Sequence, residues 1–201
     1  MHHIYLPQLR FSEDLDFSSN AEKIELDDVK NIFAGFDFLE IKKEYVSGAT
    51  VKIEKLQFIG PLSQANSLKV EIDFLQNVVL SPLKLEYENE YGVQTLVRVM
   101  DIREIAAEKI RAMNDRVRYR DFYDFAMIVK KLDVDMIEVV DLVRRKEIRK
   151  TISKKNILEN WKLAKQEKQH EFASIYYSEE LDDSEAEVIL KSLDFIEIKK
   201  I

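Results

Sequence analysis

Two aspartates one residue apart, Asp14 and Asp16, stand in the stretch Arg10-Phe11-Ser12-Glu13-Asp14-Leu15-Asp16-Phe17. The alternation is that of a β-strand, with Asp14 and Asp16 on one side and Leu15 and Phe17 on the other. Strand rise separates the two carboxylates by about 7 Å. That spacing lets both reach one divalent cation or two adjacent ones. Like charges 4 Å apart repel by roughly 4 kcal/mol at an effective dielectric of 20, a penalty that a bound cation removes. Oxygen-only ligands favour Mg²⁺ or Mn²⁺ over zinc. A solvated acidic edge strand would carry the same pattern without binding anything.

A second strand adds to the first. Leu68-Lys69-Val70-Glu71-Ile72-Asp73-Phe74 alternates cleanly, with Lys69, Glu71 and Asp73 on its polar side. If it neighbours the first strand, Asp73 is the third carboxylate of a two-metal site, with Glu71 as a substitute. Lys109 falls near the middle of the apolar stripe Ile102, Ile105, Ala106, Ile110 and Met113. A lysine there either snorkels to water or faces a polar cleft that holds anions.

These residues need positioning elements. Asp27 or Asp28 is expected to cap a helix with the stripe Val29, Ile32, Phe33 and Phe36. Strands are expected near Leu39–Val46, Thr50–Ile59, Leu83–Tyr87 and Gln94–Met100, with Ser47-Gly48 as a turn. From Asp101 the period changes from two to about 3.6. That shift divides the chain into an α/β core at 1–100 and a helical domain at 101–201, an α+β fold with a mixed sheet.

Asp101 caps the first C-terminal helix, with Glu104 at the capping-box position. Asp121 reads as the N-cap of the next helix, and Asp124 lies in its first turn. Asp135 with Glu138, and Ser184 with Glu187, predict two more capping boxes. Helices are further expected over Asn156–Glu171 and Glu185–Leu193. The basic run Arg144–Lys155 reads as a solvated helix face or as a contact for nucleic-acid phosphates.

Composition removes several chemistries. The 201 residues contain no cysteine and three histidines, which excludes thiol nucleophiles and disulfides and argues against a multi-histidine zinc site. A net charge of −7 argues against wholesale coating of nucleic acid. No apolar run approaches the ~20 residues of a membrane span, and Met1–Pro7 lacks a signal-peptide core. The cytoplasm is the expected compartment.

The strand Arg10–Phe17 resembles the acidic motif of the AbiEii/AbiGii-type nucleotidyltransferases, toxins of toxin–antitoxin and phage-defence systems. A second match runs through Glu104-Ile105-Ala106-Ala107-Glu108-Lys109-Ile110-Arg111-Ala112-Met113, Arg116 and Arg120-Asp121-Phe122-Tyr123-Asp124-Phe125. It is similar to that family's helical signature, and the resemblance covers roughly Leu9 to Leu132. It implies a nucleotidyltransferase-like fold and transfer of a nucleotide from a nucleoside triphosphate to an RNA (tRNA-like) or protein hydroxyl.

By the same resemblance Asp14, Asp16 and Asp73 would hold the metal ions. Arg10, Ser12 and Lys109 would contact the nucleotide, and Asp121 would be the helix-end acid, with Asp124 as the other holder of that role. A cognate antitoxin is the implied partner. The family normally carries a Gly-Gly or Gly-Ser turn before the acidic strand. Here none of the nine residues before Arg10 is glycine, and the four glycines are Gly35, Gly48, Gly60 and Gly92. The expectation is a cradle encoded upstream of Met1, or a family relative with impaired catalysis that binds a partner or nucleic acid. A metal nuclease built on Glu71 and Asp73, with Lys69 or Lys109, is a third reading. The catalytic reading requires Asp14, Asp16 and Asp73 to meet the ammonium of Lys109.

Overall fold

The computed structural model describes residues 4–10, 14–21, 23–75, 77–89, 91–146 and 148–199, with the side chains of residues 14 and 169–174 left outside that description. Two compact units divide the chain: Ser12–Val78 is one, and Met1–Phe11 with Val79–Ile201 is the other.

The smaller unit is a mixed sheet with one helix. Its elements are β1 (Asp14–Ser18), α1 (Leu26–Ala34), β2 (Glu40–Val46), β3 (Thr50–Ile59) and β4 (Ala65–Asp73). The strand order is β1-β4-β3-β2, with β1 parallel to β4 and the other pairs antiparallel. Period-two alternation puts Val51, Ile53 and Val70 on one face, where they form a buried core with Val29 of α1 and with Leu56. Ser47 Oγ accepts from the backbone N–H groups of Ala49 and Thr50, at 3.2 and 3.0 Å, which tightens the β2–β3 turn.

Gly60 opens the β3–β4 turn. A side-chain carbon there would come within 2.5 Å of Asn66 Nδ2 and 2.7 Å of Gln64 Nε2, so a larger residue would have to displace the ends of those two side chains.

Two expectations for this unit need correction. Helix α1 starts at Leu26, and Asp27 and Asp28 sit in its first turn rather than capping it. There they still complement the positive end of the helix dipole. Of the expected stripe Val29 is buried and Phe33 half-buried, whereas Ile32 and Phe36 are exposed. A nine-residue helix presents only one narrow face to the sheet, and Phe36 lies beyond its end. Leu15 and Phe17 are also about half exposed, because β1 is an edge strand and the core beneath α1 does not extend to it.

The larger unit begins with the hairpin β5 (Leu83–Glu88) and β6 (Gln94–Val99). Helices α2 (Ile102–Asp115), α3 (Tyr119–Lys131) and α4 (Met136–Arg145) follow. After the short strand β7 (Ile152–Ser153) come α5 (Lys154–Ser174), α6 (Asp183–Ser192) and β8 (Glu197–Ile198), which pairs antiparallel with β7. The core joins Ile110 and Met113 of α2 to Phe122, Phe125 and Ile128 of α3, Val139 and Val143 of α4, and Trp161 of α5. Trp161 stacks on Tyr119 with ring centroids 5.9 Å apart.

The fold is α+β, with a mixed sheet and six helices among the described residues. The helices of the larger unit start where the periodicity changes, but the compact units divide at Val78/Val79. The β5–β6 hairpin therefore belongs with the helices. Three hydrogen bonds tie the flanks of this hairpin to that unit. Tyr5 donates to the carbonyl of Met100 at 2.8 Å, and Glu104 accepts from Val79 and Leu80.

Asp101 caps α2 and Asp135 caps α4, each accepting the N–H two residues on. Glu104 and Glu138 do not complete the expected capping boxes. Glu138 takes Arg103 Nη1 at 2.8 Å. Helix α6 is capped by Asp182 rather than Ser184, since the Asp182 carboxylate accepts from both Ser184 and Glu185. Asp121 is not an N-cap either: α3 already begins at Tyr119. The run Arg144–Lys155 is not one helix face, because α4 ends at Arg145 and β7 interrupts before α5. No helix among the described residues is long and apolar enough to cross a membrane.

Candidate active site

In the smaller unit strand register sets the acids on adjacent strands. On parallel neighbours β1 and β4, Asp14 pairs with Lys69, Asp16 with Glu71, and Ser18 with Asp73. Residues two apart on a strand share a face, so Asp14, Asp16 and Asp73 occupy the same side of adjacent strands. The condition set by the sequence, that the third acid's strand neighbour the first, is met. Asp16 is exposed and Asp73 is half-buried. Asp73 Oδ1 accepts the backbone N–H of Leu75 at 3.0 Å, which fixes that carboxylate at the strand's exit.

Glu71, the alternative third acid, is committed to lysines. Lys52 Nζ lies 2.8 Å from Oε1 and Lys69 Nζ lies 3.4 Å from Oε2. Burial would raise the Glu71 carboxyl, but the bond to Lys52 and the charges of Lys52 and Lys69 hold it below its ordinary value.

In the larger unit the lysine and aspartates of the helical signature form a buried ionic chain. Lys109 Nζ lies 2.7 Å from Asp124 Oδ2 and 3.2 Å from Asp121 Oδ1. Asp121 also accepts from Arg116, through Nε at 2.7 Å and Nη2 at 3.1 Å. Asp124 takes both Nε and Nη2 of Arg10 at 2.7 Å each, a bidentate pairing.

Both aspartates are fully buried, whereas the Lys109 side chain stays 20% exposed. The lysine therefore borders the core instead of snorkelling past it. Spacing explains the shared grip, since Asp121 and Asp124 stand one turn apart on α3 and present both carboxylates to one side. Taken alone, Arg10, Lys109 and Arg116 against two aspartates leave one positive charge in excess. Burial would raise the Asp121 carboxyl; the charge of Lys109 and the bonds from Arg116 reverse this and hold it below the ordinary aspartate range.

Arg10 is placed by its chain neighbours. Leu9 is buried, and its carbonyl accepts from the Ser178 backbone N–H at 2.8 Å, while Arg10 itself bridges to Tyr177. Ser12, with Phe11 and Glu13, lies outside the described residues.

A model of the family described as nucleotidyl transferase AbiEii toxin, of a type IV toxin–antitoxin system, matches residues 1–196. The chain belongs to this family. No curated protein sequence matches it. Among solved structures it is similar in fold to MenT4, a nucleotidyltransferase toxin from Mycobacterium tuberculosis H37Rv. The TM-score is 0.55 at 20% sequence identity, over 71% of this chain and 51% of that one. The chain thus spans about half the length of the MenT4 chain it matches.

An AbiEii toxin of this kind implies a divalent metal. The acidic face offers only hard oxygen donors on two adjacent strands, the donor chemistry that Mg²⁺ or Mn²⁺ takes. Among the described residues no three histidines, aspartates or glutamates gather closely enough to hold an ion. Completing the set from this face requires the Asp14 carboxylate, whose backbone position in β1 is fixed by its pairing with Lys69.

Sequence reasoning missed a second ionic group in the larger unit. Glu104 is fully buried, and its two oxygens accept from the N–H groups of Val79 and Leu80 at 2.8 and 3.0 Å. Lys146, at the C-terminal cap of α4, pairs with Glu104 and lies 3.0 Å from Glu108 Oε1. Nothing local in the sequence pairs residues 42 positions apart. Glu104 looked like a cap because it sits three residues after Asp101.

Proposed function

We propose that this AbiEii family member transfers a nucleotide from a nucleoside triphosphate to a hydroxyl on an RNA (tRNA-like) or protein acceptor. What supports the reading most is the parallel register of β1 and β4, which gives Asp14, Asp16 and Asp73 a common face. The acceptor oxygen bonds to the α-phosphorus as the bond from that phosphorus to the bridging oxygen breaks. Pyrophosphate departs with the electron pair, and the hydroxyl proton passes to solvent.

Asp14, Asp16 and Asp73 would hold Mg²⁺ or Mn²⁺. A bound ion supplies charge stabilisation for the attacking and leaving oxygens. Lys109 offsets charge on the departing phosphates, with Asp121 and Asp124 fixing the direction of its ammonium. Arg10 and Arg116 act through those aspartates: they neutralise both carboxylates, so that Lys109 need not do so alone. Family membership supports a cognate antitoxin as partner.

The test is transfer of label from α-labelled nucleoside triphosphates to RNA and protein acceptors, with and without Mg²⁺. Label incorporated only with the ion, and lost in Asp16→Asn, supports the reading. Transfer that survives removal of every divalent ion, or that Asp16→Asn leaves intact, refutes it.

A further inference from the structure

The polar face of the four-stranded sheet carries cations as well as acids, and register arranges them in rows. Asp14 stands beside Lys69. Asp16 stands beside Glu71, which stands beside Lys52 on β3. Ser18, Asp73 and Thr50 make the third row. Glu71 is at the centre, one oxygen toward each lysine, at 2.8 Å for Lys52 and 3.4 Å for Lys69. Four acids against two lysines leave two negative charges, the amount that one divalent ion neutralises.

We propose that Lys69 is a resident counter-ion of the acidic face, held there by Glu71, against which a divalent metal must bind. The inference rests on the reading of Asp14, Asp16 and Asp73 as the metal ligands. Its physical basis is placement. Neighbouring strands lie about 4.8 Å apart, so the Lys69 backbone is one strand spacing from that of Asp14. An ammonium on a four-carbon stem anchored at Glu71 stays within a few ångströms of that row. At such range its charge opposes a second cation on the same acids. Lys52 lies one strand further from β1 and opposes it less.

The experiment is a titration of the full chain with Mn²⁺ alone, without nucleotide, followed by calorimetry or by the electron paramagnetic resonance of free Mn²⁺. Lys69→Met is expected to bind Mn²⁺ more tightly, by roughly ten-fold from the Coulomb scale. Lys52→Met tightens binding by less, and Lys69→Arg, which keeps the charge, stays near the wild type. A gain in affinity cannot come from a damaged fold. Binding that is lost in Asp16→Asn yet unchanged or weaker in Lys69→Met overturns the counter-ion role alone. A wild type that takes up no Mn²⁺, or an Asp16→Asn variant that binds as well as wild type, overturns the metal reading and the counter-ion role with it.

Discussion

Arg10 and Asp124 face each other through two parallel hydrogen bonds of 2.7 Å, across 114 positions of sequence. This pairing fastens the N-terminal segment to α3 at the aspartate that also holds Lys109. Removing one partner of a buried pair leaves an uncompensated charge, at about 3–5 kcal/mol. Asp124→Asn strips a carboxylate from both Arg10 and Lys109 and belongs in that range. Arg10→Met costs less, because Asp124 keeps Lys109. Denaturant unfolding of the two variants gives the comparison, and equal losses would contradict the shared role of Asp124.

Asp121 carries a pH signature. Its carboxyl is held below the ordinary aspartate range by Lys109 and Arg116 against the effect of burial. A depressed acid contributes stability above its unfolded value, near pH 4, and withdraws it as the pH falls through the folded value. The melting temperature should therefore drop on acidification below about pH 4. Asp121→Asn should be less stable at neutral pH and should show a flatter acid limb. Acid limbs of equal steepness would rule out Asp121 as a contributor.

The Glu104–Lys146 pair should behave as a coupled unit. Glu104→Gln takes from Lys146 its fully buried carboxylate partner while the contact to Glu108 stays, and Lys146→Met leaves Glu104 with its two backbone donors. Each change should cost about 3 kcal/mol. The double variant should cost less than the two together, with a coupling between 0.5 and about 3 kcal/mol. Strict additivity in a denaturation cycle would show that the pair does not interact.

Activity should separate from stability at Asp16. The residue is exposed on an edge strand, so Asp16→Asn should leave the unfolding midpoint within error of wild type. Nucleotide transfer should fall by roughly 100-fold or more when a charge-stabilising group is lost. Lys109→Met should lower both, because it also breaks the pairs to Asp121 and Asp124.

What could be read from the sequence followed from how local its cause is. Period-two alternation located β2, β3 and β4 to within a few residues, and the Ser47-Gly48 turn joined the first two as expected. Lys109 stood out because a cation on an apolar stripe needs a partner, and the partners proved to be two acids from the next helix. The roles of Glu104, Lys146 and Arg10 were not legible, since each depends on a contact tens of residues away or more. Capping assignments failed where a carboxylate found a stronger tertiary partner, as Glu104 and Glu138 did. The exposure of Leu15 and Phe17 was not legible for another reason: alternation marks which side a residue faces, not whether anything lies over it.

The parity of β1 constrains how this region can change over time. Within a strand, a slip of one position exchanges the two faces. A single-residue insertion or deletion that shifted β1 along β4 would carry Asp14 and Asp16 off the face they share with Asp73 and put Leu15 and Phe17 there in their place. A two-residue change would restore the orientation while displacing the acids by one step along Lys69, Glu71 and Asp73. Length variation here should thus survive only in even increments, a pattern that deletion scanning across the strand can reveal directly.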